Sequence, residues 1–298
     1  MIARVSRMLV EDPYYLALQH VPAATEPLCA AMARVAWASM PAWRRNLLRN
    51  AGLALGPGSS DADRERCARA MLLSMQRSVA ELLQSERASP EELRARVGRI
   101  TGAGAYAAAR ERRRGAILAG IHMGAFEPAL AWLVHIERRV HVLYHPDSSR
   151  RFERARSGLR ARLGVVEHRL TDGVAAWGEL QDALRADEVV VMHADRTMPG
   201  QRGCAMPFLG VPDAVLPPGP LRLAASVGAP VVPTYCVRDG AGLHVIADDP
   251  LWPAEENLAA REVPAHPVQR GLVESMERRI RAQPAEWLAF MDMGGAQP

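Results

Sequence analysis

From about residue 106 onward, short apolar runs alternate with longer helix-like stretches. Each run has the length of a buried strand, and each stretch between runs is long enough for a helix that covers a sheet. The pattern therefore predicts an α/β fold with a central, mostly parallel sheet flanked by helices. The predicted strands are 115–121, 140–144, 188–193, 231–237 and a shorter one at 243–246, and the predicted helices are 127–137, 150–163, 174–186, 219–227 and 266–282.

The first part of the chain has a helical pattern instead. Apolar side chains recur at helical spacing between residues 61 and 84, and Ser60 with Asp63 is suited to a capping box in front of them. We therefore predict a helical N-terminal subdomain (1–105) packed against an α/β core (106–298), the two forming one compact unit.

Three further segments are punctuated by proline or glycine. Residues 56–60 predict a loop, and Pro90 predicts the start of a second helix that runs to about residue 100. Residues 196–220 are rich in both residue types and predict a long ordered loop. Long loops inside compact domains are often functional, so this segment is a candidate part of a site.

Composition limits the partners and the compartment. The 298-residue chain has 49% hydrophobic and 23% charged residues, as expected of a folded protein. It contains no lysine, so all 37 basic residues are arginines, which suit phosphate and carboxylate groups. The four cysteines form no C-x-x-C motif, which favours free thiols in a reducing compartment. Charges interrupt the N-terminus, and no apolar stretch is long enough to span a bilayer, so we expect neither a signal peptide nor a transmembrane helix.

A histidine and a glutamate follow the first predicted strand of the core. Residues 121–127 read Ile-His-Met-Gly-Ala-Phe-Glu, which places His122 at the carboxyl end of the strand, where α/β sheets usually carry their sites. Because Gly124 allows the chain to turn, Glu127 can begin a helix near the imidazole. Glu127 would then hold one ring nitrogen and leave the other as a general base. The alternative is a core histidine beside a helix-capping glutamate, and the spacing alone does not decide between them.

Several motifs resemble those of one enzyme family in the same order. The "HMGAFE" segment is similar to the H-x-G-N-W-E box of the late acyltransferases of lipid A biosynthesis (the lauroyl and myristoyl acyltransferase type), within the wider lysophospholipid acyltransferase superfamily. Five other segments extend the resemblance over most of the chain: RRNLLRNAGLAL (44–55), VLYHPDSSRRFERARSGLRARLG (142–164), VVMHADRTMPGQRGCAMPFLG (190–210), PPGPLRLAASVGAPVVPTYCVRDG (217–240) and QPAEWLAF (283–290).

The chain also departs from the family pattern. Ala125 and Phe126 replace the Asn-Trp pair of the first box, His145 replaces an arginine, and Arg196 follows Asp195 where glutamine is usual. The closing box lacks its His-Arg-Arg run, and we expect no N-terminal membrane anchor of the family's type. The resemblance therefore predicts an acyltransferase but leaves the acceptor open.

The resemblance implies transfer of a fatty acyl group from a thioester to a hydroxyl group. His122 is expected to take the proton from that hydroxyl, while Glu127 fixes the imidazole tautomer. Because the thioester is already activated, no covalent enzyme intermediate, metal or other cofactor is expected. His141 and His145 lack further ligands at a spacing that suits a metal. The oxyanion donor stays open between an arginine and a backbone N–H near Gly124.

Seven positions are expected to bind substrate, namely Gly124, Arg160, Asp195, Arg196, Pro207, Phe208 and Gly210. Arg160 would clamp a phosphate or the oxyanion, unless it belongs to a solvated helix face. Asp195 would organise the site, unless it only forms an Asx turn after its strand. The last three would shape an apolar acyl pocket, unless they only pack the loop.

The expected partners are an acyl carrier protein or acyl-coenzyme A as donor and a lipid or glycolipid as acceptor. We expect peripheral contact with anionic lipid on the cytoplasmic side of the bacterial inner membrane, and no nucleic acid, since no base-reading motif is present. Three alternatives remain. The same chemistry could act on a lysophospholipid or on a polyketide or aryl-polyene intermediate, the chain could hydrolyse thioesters, or it could bind lipid without catalysis.

Overall fold

The computed structural model describes residues 13–147, 149–198, 201–240 and 242–293, and it has a layered α/β architecture. Its strands are β1 (Val97–Thr101), β2 (Ala116–Gly120), β3 (Val140–Tyr144), β4 (Val166–Arg169), β5 (Val189–His193), β6 (Cys204–Phe208), β7 (Val211–Leu216), β8 (Val231–Asp239) and β9 (Gly242–Ala247). Among the described residues, seven of these strands form the central sheet in the order β1-β9-β8-β2-β5-β3-β4. Only the β8–β9 pair is antiparallel within this sheet, so the predicted fold class is confirmed.

Helices cover the sheet and form the N-terminal part of the chain. They are α1 (within 13–20), α2 (Thr25–Ser39), α3 (Pro41–Leu55), α4 (Asp61–Ser85), α5 (Pro90–Ala95), α6 (Ala103–Arg110), α7 (Phe126–Ile136), α8 (Arg150–Arg162), α9 (Val174–Arg185), α10 (Gly219–Ala225) and α11 (Pro267–Ala282). No helix in the described ranges is long and apolar enough to cross a membrane.

The helical N-terminal region packs directly on the sheet. The predicted capping box is present, because the Asp63 N–H donates to Ser60 Oγ and the Asp63 carboxylate accepts from the Ser60 N–H. The buried faces of α2, α3 and α4 join a single hydrophobic core that also contains β2 and β5. Residues 1–12 of the predicted subdomain lie outside the described part of the chain, and the boundary at residue 105 stays a prediction.

Two segments differ from their predicted structure. The helix predicted from Pro90 to about residue 100 ends at Ala95, and the chain continues as β1, which pairs with β9 at the edge of the sheet. The long loop predicted at 196–220 contains an antiparallel hairpin of β6 and β7. Burial alternates along β6, with Cys204, Met206 and Phe208 inside, while Pro207 lies on the exposed face of this two-stranded sheet, where a proline is tolerated.

Candidate active site

Two neighbouring parallel strands bring a histidine and an aspartate together. β2 and β5 are paired so that Gly120 lies opposite His193, and both chains leave the sheet at the same edge. His122 follows β2 and Asp195 follows β5, so their side chains meet beyond the strand ends. Nδ1 of His122 lies 2.7 Å from Oδ1 of Asp195.

Asp195 is fully buried and surrounded by donors. Its Oδ2 accepts hydrogen bonds from Nε and Nη2 of Arg196, at 3.2 and 2.6 Å, and from the indole Nε1 of Trp287 at 3.2 Å. Burial alone would raise the pKa of Asp195, but Arg196 and His122 outweigh it and hold that pKa well below its usual range. Asp195 is therefore an ionised, positioned acceptor, not only a turn residue.

The ionised carboxylate determines the tautomer of His122. Because Asp195 can only accept, Nδ1 of His122 must carry a proton and donate it, which leaves the lone pair on Nε2. No residue in the described ranges hydrogen-bonds this Nε2, and a third of the His122 side chain is exposed to the cleft. Burial and the charge of Arg196 lower the pKa of His122 from its ordinary value of 6.5, against the opposite effect of Asp195. His122 is thus a neutral base at neutral pH.

The closing segment of the chain holds this loop in place. The Leu288 N–H donates to the carbonyl of His122 at 2.7 Å, and the Gly124 N–H donates to the carbonyl of Glu286 at 3.1 Å. Between them, Met123 and Trp287 form an antiparallel bridge, which brings the indole to the Asp195 carboxylate.

Gly124 is the residue that this turn requires. Its φ is +57°, and a Cβ there would lie 2.3 Å from the carbonyl oxygen of Cys236. Both the backbone angle and the close approach exclude a side chain. Gly124 therefore shapes the loop, and its N–H, already bonded to Glu286, is not available to a substrate oxygen.

The predicted contact between His122 and Glu127 is wrong in this structure. Glu127 is the second residue of α7 and is buried, and its carboxylate accepts hydrogen bonds from Nε of Arg160 (3.1 Å) and from Nη2 of the same residue. Arg160 is only 3% exposed, its Nη1 donates to Glu167, and its guanidinium stacks over the Tyr144 ring. The alternative of a solvated arginine is therefore wrong as well, and the Glu127–Arg160 pair joins α7 to α8.

Two cavities in the described part of the chain lie side by side near His122 and share three lining residues. The first is a wide cleft whose mixed lining includes the polar and charged residues His122, Glu127, His145, Arg156, Arg160 and Arg196. The second is an apolar cavity between the sheet and the face of α7 that carries Phe126, Ala129, Leu130, Trp132 and Leu133. Phe126 and Leu133 are two turns apart, roughly 10 Å along the helix axis. Phe126, Met192 and His193 line both cavities and mark their junction.

The predicted acyl-pocket residues lie elsewhere. Phe208 is buried with its ring edge-on to Trp287, at 6.3 Å between centroids, while Pro207 and Gly210 are exposed on the hairpin. None of the three lines the cleft or the apolar cavity. Phe208 supports the tryptophan that binds Asp195, but the hairpin does not form the apolar cavity.

The structure adds two residues that were given no role from the sequence. Trp287 contacts Asp195, and the only signal for it was the Pro-x-x-Trp segment at the end of the chain. His193 stacks on His122 with ring centroids 4.0 Å apart, and it was visible only as part of the motif that contains Asp195. No cluster of three or more metal-binding side chains is found within the described ranges.

Comparison with known proteins identifies the family of the chain. Two curated proteins from Mycobacterium tuberculosis, strains H37Rv and CDC 1551, are each named "Phosphatidylinositol mannoside acyltransferase" and are 28% identical to this chain over 174 residues. The match covers 58% of this chain and 52% of each relative, so it spans about half of their length. The sequence profile described as "Bacterial lipid A biosynthesis acyltransferase" matches residues 15–292, nearly the whole chain. The chain therefore belongs to the bacterial lipid A biosynthesis acyltransferase family.

Proposed function

We propose that this protein transfers a fatty acyl group from an acyl thioester to a hydroxyl group of a glycolipid, with His122 as general base and Asp195 as the group that orients it. The observation that carries the proposal is the 2.7 Å contact between His122 and Asp195, beside a cleft lined by charged side chains and next to an apolar cavity. An acyl thioester has the same division, since an apolar chain ends in a reactive carbonyl attached to a polar carrier.

The tautomer of His122 supports its role as the base. The acceptor hydroxyl would hydrogen-bond Nε2, which has its lone pair free, and would lose its proton as the oxygen attacks the thioester carbonyl. Asp195 would stabilise the resulting imidazolium through Nδ1–H. A positioned base of this kind contributes about 10²–10⁴-fold to the rate.

The cleft carries charged groups of both signs, Arg156, Arg160 and Arg196 with Glu127 and Asp147, which suits a polar acceptor. Arg156 lies one turn before Arg160 on α8, about a third of its side chain is exposed, and its Nη1 is 2.5 Å from Asp147. Such charged groups bind sugar hydroxyls and phosphates. Because the curated relatives are named for phosphatidylinositol mannoside and the family for lipid A, both acceptors should be tested, with a lysophospholipid as the main alternative.

The test is acyl transfer by the purified chain. Palmitoyl-coenzyme A and a palmitoylated acyl carrier protein serve as donors, the three acceptor classes are supplied in turn, and mass spectrometry detects an acceptor heavier by one acyl chain. We expect one acceptor to be acylated by the parent chain and not by His122→Ala. His135→Ala is the matched control, because His135 is exposed near the end of α7.

The alternatives give distinct results in the same assay. Release of the donor thiol without any acylated acceptor, lost in His122→Ala, would show a thioester hydrolase instead. Neither product nor thiol release with either donor would overturn both enzymatic functions and favour lipid binding. The choice between acyl carrier protein and coenzyme A as donor remains part of the proposal, and so does peripheral contact with an anionic membrane on the cytoplasmic side. Co-sedimentation with anionic vesicles measures the binding to lipid.

A further inference from the structure

The junction between the two cavities limits where a thioester carbonyl can lie. If the alkyl chain occupies the apolar cavity and the carrier lies in the cleft, the carbonyl must sit beside the residues that line both, which are Phe126, Met192 and His193. Phenylalanine and methionine offer no N–H or O–H donor. His193 is therefore the side chain at this junction that can donate a hydrogen bond to the carbonyl oxygen.

The donors expected from the sequence, an arginine or the N–H of Gly124, already bind acceptors within the protein. The Gly124 N–H donates to Glu286, and Arg196 donates to Asp195 and to the carbonyl of Leu288. Three donor nitrogens of Arg160 bind carboxylates of neighbouring elements. By contrast, the ring nitrogens of His193 have no hydrogen-bond partner among the residues that the structure describes.

Packing holds the His193 ring in a defined position. His193 is the last residue of β5, and its ring lies between that of His122, stacked at 4.0 Å with planes 19° apart, and that of Phe126, edge-on at 4.5 Å. Burial and the adjacent His122 hold the pKa of His193 well below its usual range. A neutral imidazole has one N–H to donate, and it can polarise a carbonyl without adding a second positive charge next to the base.

We propose that His193 donates its N–H to the carbonyl oxygen of the acyl thioester and stabilises the oxyanion that forms during transfer. The inference rests on the proposed function. The acceptor oxygen forms a bond to the carbonyl carbon while its proton moves to Nε2 of His122, and the carbonyl electron pair moves onto the oxygen that His193 binds. The intermediate then collapses, the C–S bond breaks, and the thiolate leaves with the proton from His122, which yields an ester and a thiol.

Two substitutions distinguish the effect of the His193 N–H donor from the effect of the packing of its ring. His193→Phe keeps a flat ring between His122 and Phe126 but removes the N–H, whereas His193→Gln removes the ring but restores an N–H donor. With palmitoyl-coenzyme A as donor, we expect His193→Phe to lower kcat by about 10²–10³-fold with little change in KM, as for loss of one oxyanion donor. His193→Gln should recover a substantial part of this loss.

A spectroscopic measurement tests the contact directly. Isotope-edited infrared spectra of bound palmitoyl-coenzyme A, labelled at the carbonyl carbon and without acceptor, should show a lower carbonyl frequency with the parent chain and His193→Gln than with His193→Phe. Thermal unfolding of each variant checks that the fold is retained.

The possible results distinguish this inference from the proposed function. If the parent is active and His193→Phe has the parental kcat and carbonyl frequency, the inference is overturned alone, and the N–H groups at the start of α7 become the candidate oxyanion donors. If His193→Phe loses activity but the carbonyl band is unchanged and His193→Gln recovers nothing, the loss does not come from a hydrogen bond to the carbonyl, and the inference is also overturned. A parent without acyl transfer or thiol release overturns the proposed function and this inference with it.

Discussion

Replacing Asp195 by asparagine is expected to remove most turnover by reversing the tautomer of His122. Three N–H groups, two from Arg196 and one from Trp287, point at Oδ2 of Asp195. Asparagine has a single acceptor oxygen, which must take this position, so its NH₂ group faces Nδ1 of His122. Nδ1 must then accept, the ring proton moves to Nε2, and the nitrogen proposed to take the substrate proton is blocked.

The expected loss of kcat can be taken from a catalytic triad in which the histidine tautomer is reversed in the same way. A reversed histidine tautomer lowers kcat by about 10⁴-fold in the Ser-His-Asp triad, which corresponds to about 5 kcal/mol of barrier. The assay is steady-state ester formation from palmitoyl-coenzyme A with the acceptor found above, together with nitrogen-15 NMR of the His122 ring to identify the tautomer. Asp213→Asn on the exposed face of the hairpin is the matched control. Parental kcat in Asp195→Asn, or a lower kcat with Nδ1 still protonated, would refute the reasoning.

The remaining predictions concern neighbouring groups. Glu127→Gln leaves the buried charge of Arg160 without its main partner, so urea unfolding should show a free energy of unfolding lower by about 3–5 kcal/mol. In an Arg160→Met background the same substitution should lower the free energy of unfolding by less, because the unpaired charge is gone. Equal losses in both backgrounds would contradict direct pairing. Because a neutral His122 with a lowered pKa is required, kcat/KM should fall as pH decreases through a midpoint below 6.5. Arg196→Gln removes a charge that lowers this pKa, so the midpoint should move to higher pH, and an unmoved midpoint would argue against His122 as the base. Ala129→Phe fills part of the apolar cavity, so competition between palmitoyl- and octanoyl-coenzyme A, followed by mass spectrometry, should shift towards the shorter donor; an unchanged ratio would place the acyl chain elsewhere.

The strands that sequence patterns predicted are the five interior strands of the central sheet, β2, β3, β5, β8 and β9. β2, β5 and β8 are covered on both faces, and such strands appear as nearly continuous apolar runs. The two missed strands of the central sheet, β1 and β4, form its edges, and their exposed positions carry charged residues such as Arg99 and Arg169. An edge strand of this kind has no periodic apolar signal to separate it from a loop or a helix end.

For the active site, the sequence predicted the positions of residues but not the partners of His122 and Glu127. The H-x4-E spacing identified two residues that both lie beside the cleft, but it could not show their partners. Glu127 enters α7 as its second residue, and from there its carboxylate is directed to Arg160 on α8. The acceptor for His122 is Asp195, 73 residues away, because β2 and β5 are neighbours in the sheet although α7, β3, α8, β4 and α9 lie between them in the chain. The order of the strands in the sheet thus determines which residue pairs with His122, and the spacing of residues within one motif carries no information about that order. The positions at strand ends, by contrast, can be identified in the sequence as the residues that follow each apolar run.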